Sequence, residues 1–163
     1  MQARTRQASL FAAVALGLVV VLAGAALAQT NNPRIGSWKL NLAKSTYTGG
    51  EAPKNSTFTI VAAGAGVKVT VDGVNADGSV SHWIYTTNYD GKDSPVTGSP
   101  NRDVVAATRV GSNTVNSVYK KDGKVTVTQT SVLSGDGKAI TITGKSTDAK
   151  GKSVDFVEVY ERQ

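Results

Sequence analysis

The clearest feature of this chain is a period of two between apolar and polar residues. In residues 67–72, three valines alternate with lysine, threonine and aspartate. Such alternation is typical of a strand with one buried face, and branched valine and threonine favour the pleated backbone. The same pattern predicts strands at 35–42, 57–61, 67–72, 80–89, 103–110, 114–120, 125–133, 139–143 and 153–162. No segment after residue 34 shows a convincing helical period, so the chain is predicted to be all-β.

Glycine turns join most of these strands. Asp-Gly pairs at 77–78, 90–91 and 122–123 supply the positive φ angles of tight turns. Segments 43–56 and 92–101 are predicted to be longer loops, the first a flap over one barrel mouth. Short connections predict an antiparallel meander, and pairing the first strand with the last removes its exposed edges. We therefore predict an up-and-down β-barrel of about 8–10 strands, with a β-sandwich as the alternative.

The N-terminus has the pattern of a targeting segment. Arg4 and Arg6 precede an apolar run over residues 10–27, which ends in a small-x-small exit at 26–28. This order is typical of a secretory signal peptide, and it predicts a signal helix at 1–28 that is cleaved after Ala28. A retained anchor is the alternative, because the run is near the shortest length that spans a bilayer. Residues 29–34 are predicted to be a flexible polar leader, followed by one barrel domain at 35–163.

Charge and cysteine content narrow the classes of partner. The formal net charge is +6, but the basic residues are spread along the turns. A nucleic-acid partner is not predicted, because such proteins carry a basic stripe with interleaved aromatic residues. The chain has no cysteine, which excludes disulfides and a lipid-modified cysteine anchor.

The richest aromatic stretch is the predicted strand at 80–89. Trp83, Tyr85 and Tyr89 share one face with Thr87, whereas His82 shares the other face with Ile84 and Asn88. Both faces carry apolar groups, so the pattern leaves open which one points inward, and we favour the tryptophan face. That face is typical of a small-molecule pocket, with ordinary packing as the alternative.

Catalytic and metal chemistry is not predicted. His82 is the only histidine, and one histidine without cysteines or a tight carboxylate cluster does not build a His-rich metal site. No serine lies in a Gly-x-Ser-x-Gly elbow, no phosphate-binding glycine loop is present, and most acids lie in turns. We expect neither a cofactor nor an enzyme.

Both ends of the predicted barrel resemble the lipocalin and fatty-acid-binding-protein superfamily. Gly36-Ser37-Trp38 resembles its Gly-x-Trp signature, and residues 159–162 (Val-Tyr-Glu-Arg) resemble the closing strand of fatty-acid-binding proteins. The chain looks most similar to bacterial exported lipocalin-like proteins of unassigned role. The resemblance implies that Trp38 plugs one barrel end, with Arg162 packed over it and Arg109 as the second choice.

Two departures from that family bear on the ligand. The segment after the first strand is too short and too glycine-rich to supply the two-helix lid of fatty-acid-binding proteins. Their closing strand holds a carboxylate with Arg-x-Tyr, where this chain has Glu158 and Tyr160. Because Glu158 would repel an anionic head group, binding of fatty acids in that manner is not expected.

These observations predict an exported, periplasmic or extracellular, monomeric barrel that binds a small apolar ligand and keeps no membrane anchor after cleavage. The predicted ligand-binding residues are Trp83, Tyr85, Tyr89 and Tyr160, and the predicted structural residues are Gly36, Trp38 and Arg162. The alternative is a barrel filled by valines, which acts as an envelope interaction module through loops 43–56 and 92–101.

Overall fold

The computed structural model describes residues 32–147 and 151–163. The predicted signal segment at 1–28 and residues 29–31 of the leader lie outside the described residues. The strands are β1 Gly36–Leu40, β2 Thr46–Thr48, β3 Asn55–Ala63, β4 Gly66–Val74, β5 Val80–Thr87, β6 Asp90–Thr97, β7 Val104–Val110, β8 Thr114–Lys121, β9 Lys124–Leu133, β10 Ala139–Thr147 and β11 Ser153–Arg162. A single-turn 3-10 helix at Leu42–Lys44 separates β1 from β2. None of the helices among the described residues has the length and apolar character that a bilayer span requires.

The strands form one closed antiparallel barrel. Strands β3 to β11 each pair with the next, and β1 joins β3 to β11. Both β1 and β2 pair with β11, β1 over residues 160–162 and β2 over residues 155–157, so together they fill one of ten strand positions. Trp38 lies opposite Arg162 at this closure. The predicted up-and-down barrel, with its first strand against its last, is confirmed.

Strand β6 corrects one prediction about the loops. The glycine and prolines of 92–101 predicted a loop, but most of this segment belongs to β6. Val96 donates its backbone N–H to Asp103 in the direction of β7, at 2.8 Å, so the neighbouring Pro95 nitrogen faces β5. There, β5 and β6 pair only at Ile84–Thr97 and Tyr85–Val96. A missing N–H at Pro95 therefore costs no ladder hydrogen bond.

The predicted loop at 43–56 is also partly structured. It contains the end of the 3-10 helix, all of β2 and the first residues of β3, and its longest stretch without regular structure is residues 49–54. Likewise β5 ends at Thr87, two residues before the predicted end, because the chain turns at Tyr89 with a φ of 59°. Strand β10 continues to Thr147, beyond the five residues predicted from alternation.

The barrel has a closed end and an open end. At the closed end, apolar side chains from β1, β3, β4, β9, β10 and β11 pack around Trp38, which is fully buried. A second cluster lies on β6 to β9 around Val105 and Tyr119. The connections at 49–54, 75–79 and 98–103 meet at the opposite end, because consecutive strands run in opposite directions. This opposite end is called the mouth below.

Candidate functional site

The barrel encloses a cavity of about 930 Å³ that reaches the mouth. Its walls come from the inward faces of β3 to β5 and β8 to β11, and its rim includes the connections around Pro53, Ala76 and Arg102. All five tyrosines of the chain line this cavity, together with Trp83. A space of this size with aromatic walls lies within the range of small-molecule sites.

Strand β5 supplies the aromatic wall. Trp83 and Tyr85 point into the cavity and stack with ring centroids 5.8 Å apart and planes inclined by 14°. Both rings also meet the edge of Tyr119, at 5.8 and 6.2 Å. His82 lies on the outer face of β5, where its Nδ1 is 2.6 Å from Asp72 Oδ1. The tryptophan face of this strand is therefore the inner one.

Trp38 closes the far end of the barrel. Its indole Nε1 donates to the carbonyl of Arg34 at 3.0 Å, and the Arg162 guanidinium carbon lies 4.2 Å from the ring centroid. Arg162 also donates to the carbonyls of Ile35 and Gly137, both at 2.8 Å. Arg109, the second candidate for this position, lies instead 4.6 Å over the ring of Tyr89.

Gly36 makes room for this arrangement. Its φ is +141°, and a Cβ built on it would come within 2.5 Å of Arg162 Nη1. A side chain at this position would displace the guanidinium from the backbone carbonyls that it binds. The glycine of the Gly-x-Trp segment is thus favoured by its positive φ, which other residues rarely adopt, and by the close approach of Arg162.

Arg34 departs from the prediction of a flexible leader. It is only 4% exposed, and its guanidinium donates to the Asn113 carbonyl at 3.1 Å and to Ser131 Oγ. Burial lowers the pKa of Arg34, and nearby Tyr89 opposes that shift. The pattern of residues 29–34 carries no signal for this burial, because the acceptors of Arg34 lie in β9 and in the turn between β7 and β8.

Glu158 is the second cavity residue that site prediction from the sequence missed. Its carboxyl accepts hydrogen bonds from the hydroxyls of Tyr47, at 2.9 Å, and Tyr160, at 3.2 Å. Tyr160 Oη is also 3.1 Å from Ser56 Oγ. Burial raises the pKa of Glu158, whereas the two tyrosine hydrogen bonds and Arg102 lower it. Tyr160, which the sequence predicted as a ligand contact, thus also positions Glu158 through a hydrogen bond.

Arg102 lies in the mouth and is the third residue that the pattern missed. Its guanidinium carbon is 4.6 Å from the Trp83 ring centroid and 4.8 Å from that of Tyr119. Its Nε is buried and has no hydrogen-bond partner among the described residues. The residue lies in a segment of Ser, Pro and Asn that resembles an ordinary surface connection, so only the tertiary structure places it against the rings.

The chemistry available in the cavity is that of binding. Its walls combine aromatic and aliphatic residues with polar ones, which include the tyrosine hydroxyls, several Ser, Thr, Asn and Gln side chains, and the charged residues Arg34, Arg102 and Glu158. Within residues 32–147 and 151–163, no group of three or more histidine, cysteine or acidic residues is placed to hold a metal ion. Apolar walls with a few oriented polar groups suit an amphiphilic small molecule.

Comparison with known proteins found similarity among solved structures. No protein-family model matches the chain, and no curated protein matches it. Among solved structures, zebrafish ileal bile acid-binding protein complexed with cholic acid aligns with a TM-score of 0.48 and 16% sequence identity. The alignment covers 80% of this chain and 99% of that chain. The architecture described above rests on the strand pairing of this chain alone.

Proposed function

We propose that this protein is a lipocalin-like barrel that binds a small, largely apolar ligand inside its cavity. The observation that carries the proposal is the cavity of about 930 Å³, lined by Trp83, Phe58 and all five tyrosines. The alternative of a filled barrel needs an interior without such a space. The inward valines of β4 pack toward the closed end, and Val125 is exposed.

Contact quenching of tryptophan fluorescence tests this proposal, because the chain has only two tryptophans, in different environments. Trp83 lines the cavity, whereas Trp38 is fully buried at the closed end. Bromohexane is a neutral apolar molecule whose bromine quenches indole only on contact. We expect saturable quenching in the unaltered protein and little quenching in Trp83→Phe, in which Trp38 alone emits.

The control is His82→Gln, a change on the outer face of the same strand. It should leave the quenching curve unchanged, because His82 contacts Asp72 outside the barrel. Equal quenching in Trp83→Phe, or quenching that never saturates, would contradict a cavity site beside Trp83.

We also propose that the protein is exported and acts in the periplasm or outside the cell. The support is the basic, apolar and small-x-small order of residues 1–28. The mass of the protein recovered after export should match a chain that begins at Gln29. Recovery of the full-length chain would instead favour the retained anchor.

A further inference from the structure

The cavity holds two opposite charges that do not pair with each other. Arg102 and Glu158 both line it, yet no ion pair joins them in the described part of the chain. Their charges still act on each other, because Arg102 lowers the pKa of Glu158. Both side chains are partly buried. Charges that are withdrawn from water are normally paired, so two unpaired ones in the lining of one cavity indicate a position for the polar group of a ligand.

Both Arg102 and Glu158 contact neighbouring side chains that leave some of their hydrogen-bonding capacity free. Arg102 rests against the rings of Trp83 and Tyr119, which contact its π face and take none of its N–H donors. Each oxygen of Glu158 accepts one tyrosine hydroxyl, and each can accept a further hydrogen bond. The pair therefore offers donors on one side and acceptors on the other.

The other charged residues of the cavity lining do not offer the same combination. Arg34 is bonded to Asn113 and Ser131 at the closed end. Asp77 accepts from Ser79 in its own turn, and Glu51 and Lys152 belong to the connections of the mouth. Among the charged residues of the lining, Arg102 and Glu158 are thus the two that we expect the polar end of a ligand to contact when its apolar part lies against β5.

We propose that the ligand is an uncharged amphiphile whose hydroxyl group lies between Arg102 and Glu158. The hydroxyl oxygen accepts from the guanidinium, and its proton is donated to the carboxyl group. A ligand carboxylate would be repelled by the negative charge of Glu158, and a ligand ammonium group would be repelled by the positive charge of Arg102. This inference rests on the proposed function, because it assigns the ligand class of the same cavity.

Displacement of a neutral fluorescent probe, N-phenylnaphthylamine, by three decyl compounds tests the inference. Decanol, decanoate and decylammonium share one chain and differ only in the charge of their end group. At neutral pH we expect decanol to displace the probe at a concentration about tenfold lower than either charged compound. Equal or better displacement by decanoate or decylammonium would overturn the inference.

Removing the charge of Glu158 and removing that of Arg102 should change the order in which the three decyl compounds displace the probe, in opposite directions. In Glu158→Gln, decanoate should gain about tenfold, because Arg102 then acts alone. In Arg102→Met, decylammonium should gain about tenfold, because Glu158 then acts alone. If neither variant alters the ranking, the two residues do not contact the end group and the inference is wrong.

Matched changes on the outer face serve as controls. Glu161→Gln removes a carboxylate from the same strand, where Glu161 pairs with Lys44 outside the barrel at 2.8 Å, and Lys68→Met removes an exposed cation from β4. Neither should alter the ranking. If Glu158→Gln fails to fold, Arg102→Met and the ranking in the unaltered protein still decide the question.

Failure of the inference and failure of the proposed function give different results. A probe that binds saturably, combined with a flat ranking of the decyl compounds, contradicts the hydroxyl position and leaves the ligand-binding cavity in place. A probe that does not bind at all, together with unsaturated bromohexane quenching, contradicts both.

Discussion

At the scale of single residues, the arginines differ most from what their sequence context predicts. Arg34 and Arg102 lie in polar segments, where charge normally indicates a solvated surface. Each instead lies against a partner distant in sequence: Arg34 binds a carbonyl 79 residues away, and Arg102 lies over the Trp83 ring. A long planar cation can lie along a ring and bind carbonyls at the same time, which its neighbours in sequence do not reveal.

Gly144 is a second residue whose role is set by its surroundings. It lies on the inner face of β10, between Gln129 of β9 and Phe156 of β11. A Cβ there would come within 2.5 Å of the Thr128 carbonyl oxygen and 2.6 Å of the Phe156 ring. Because Gly144 has no side chain, the Phe156 ring can lie close to the backbone of β10.

We predict that Gly144→Ala lowers the free energy of unfolding by about 1–3 kcal/mol, the usual effect of overpacking a filled interior. Denaturant unfolding measures the change. The matched control is Gly135→Ala in the β9–β10 turn, where a Cβ would meet nothing within 4 Å. A Gly144→Ala protein as stable as the control would show that Phe156 and the Thr128 backbone move without cost.

At the scale of elements, alternation predicted five strands within a few residues of their observed ends. These are β3, β4, β7, β8 and β9, and each pairs with at least one long neighbouring strand. Strand β6 was missed because Pro95, Gly98 and Pro100 in segment 92–101 are typical of loops. It exists because its side toward β7 supplies the pairing, while its side toward β5 is almost unpaired there.

The inner face of β5 shows the same dependence on partners. Alternation placed Trp83, Tyr85 and Tyr89 on one face, but both faces of the strand carry apolar residues. The structure directs the aromatic face inward because its register aligns Trp83 with Val71 and Tyr85 with Val69, two residues on the inner face of β4. A shift of one residue would turn the aromatic face outward.

At the scale of the whole molecule, closure of the barrel gathers every tyrosine into one interior. The five tyrosines come from β2, β5, β8, β11 and the turn after β5, and all line the cavity. Burial is the first cause that raises the pKa of each of them above the usual 10.0. Their ionisation is therefore coupled to folding.

We predict that the native protein shows no tyrosinate absorbance step as the pH passes about 10. The folded pKa values are raised, so these groups favour the folded state below pH 10, and that contribution is lost as the pH rises beyond it. Tyrosinate absorbance should appear only together with the loss of the circular dichroism of the sheet. In urea, all five should titrate together near the usual value; a reversible step in the folded protein would contradict the burial.

By itself, the sequence determined most of the strands and their antiparallel order, because period two, tight turns and strand propensity are local properties; β2 and β6 are the exceptions. It also singled out Trp83, Tyr85, Tyr89 and Tyr160, all of which line the cavity. Only the tertiary structure decided that the valines leave the interior partly open, and that Arg102 and Glu158 line the same cavity. Those facts depend on barrel diameter and register, through which residues far apart in the chain come together.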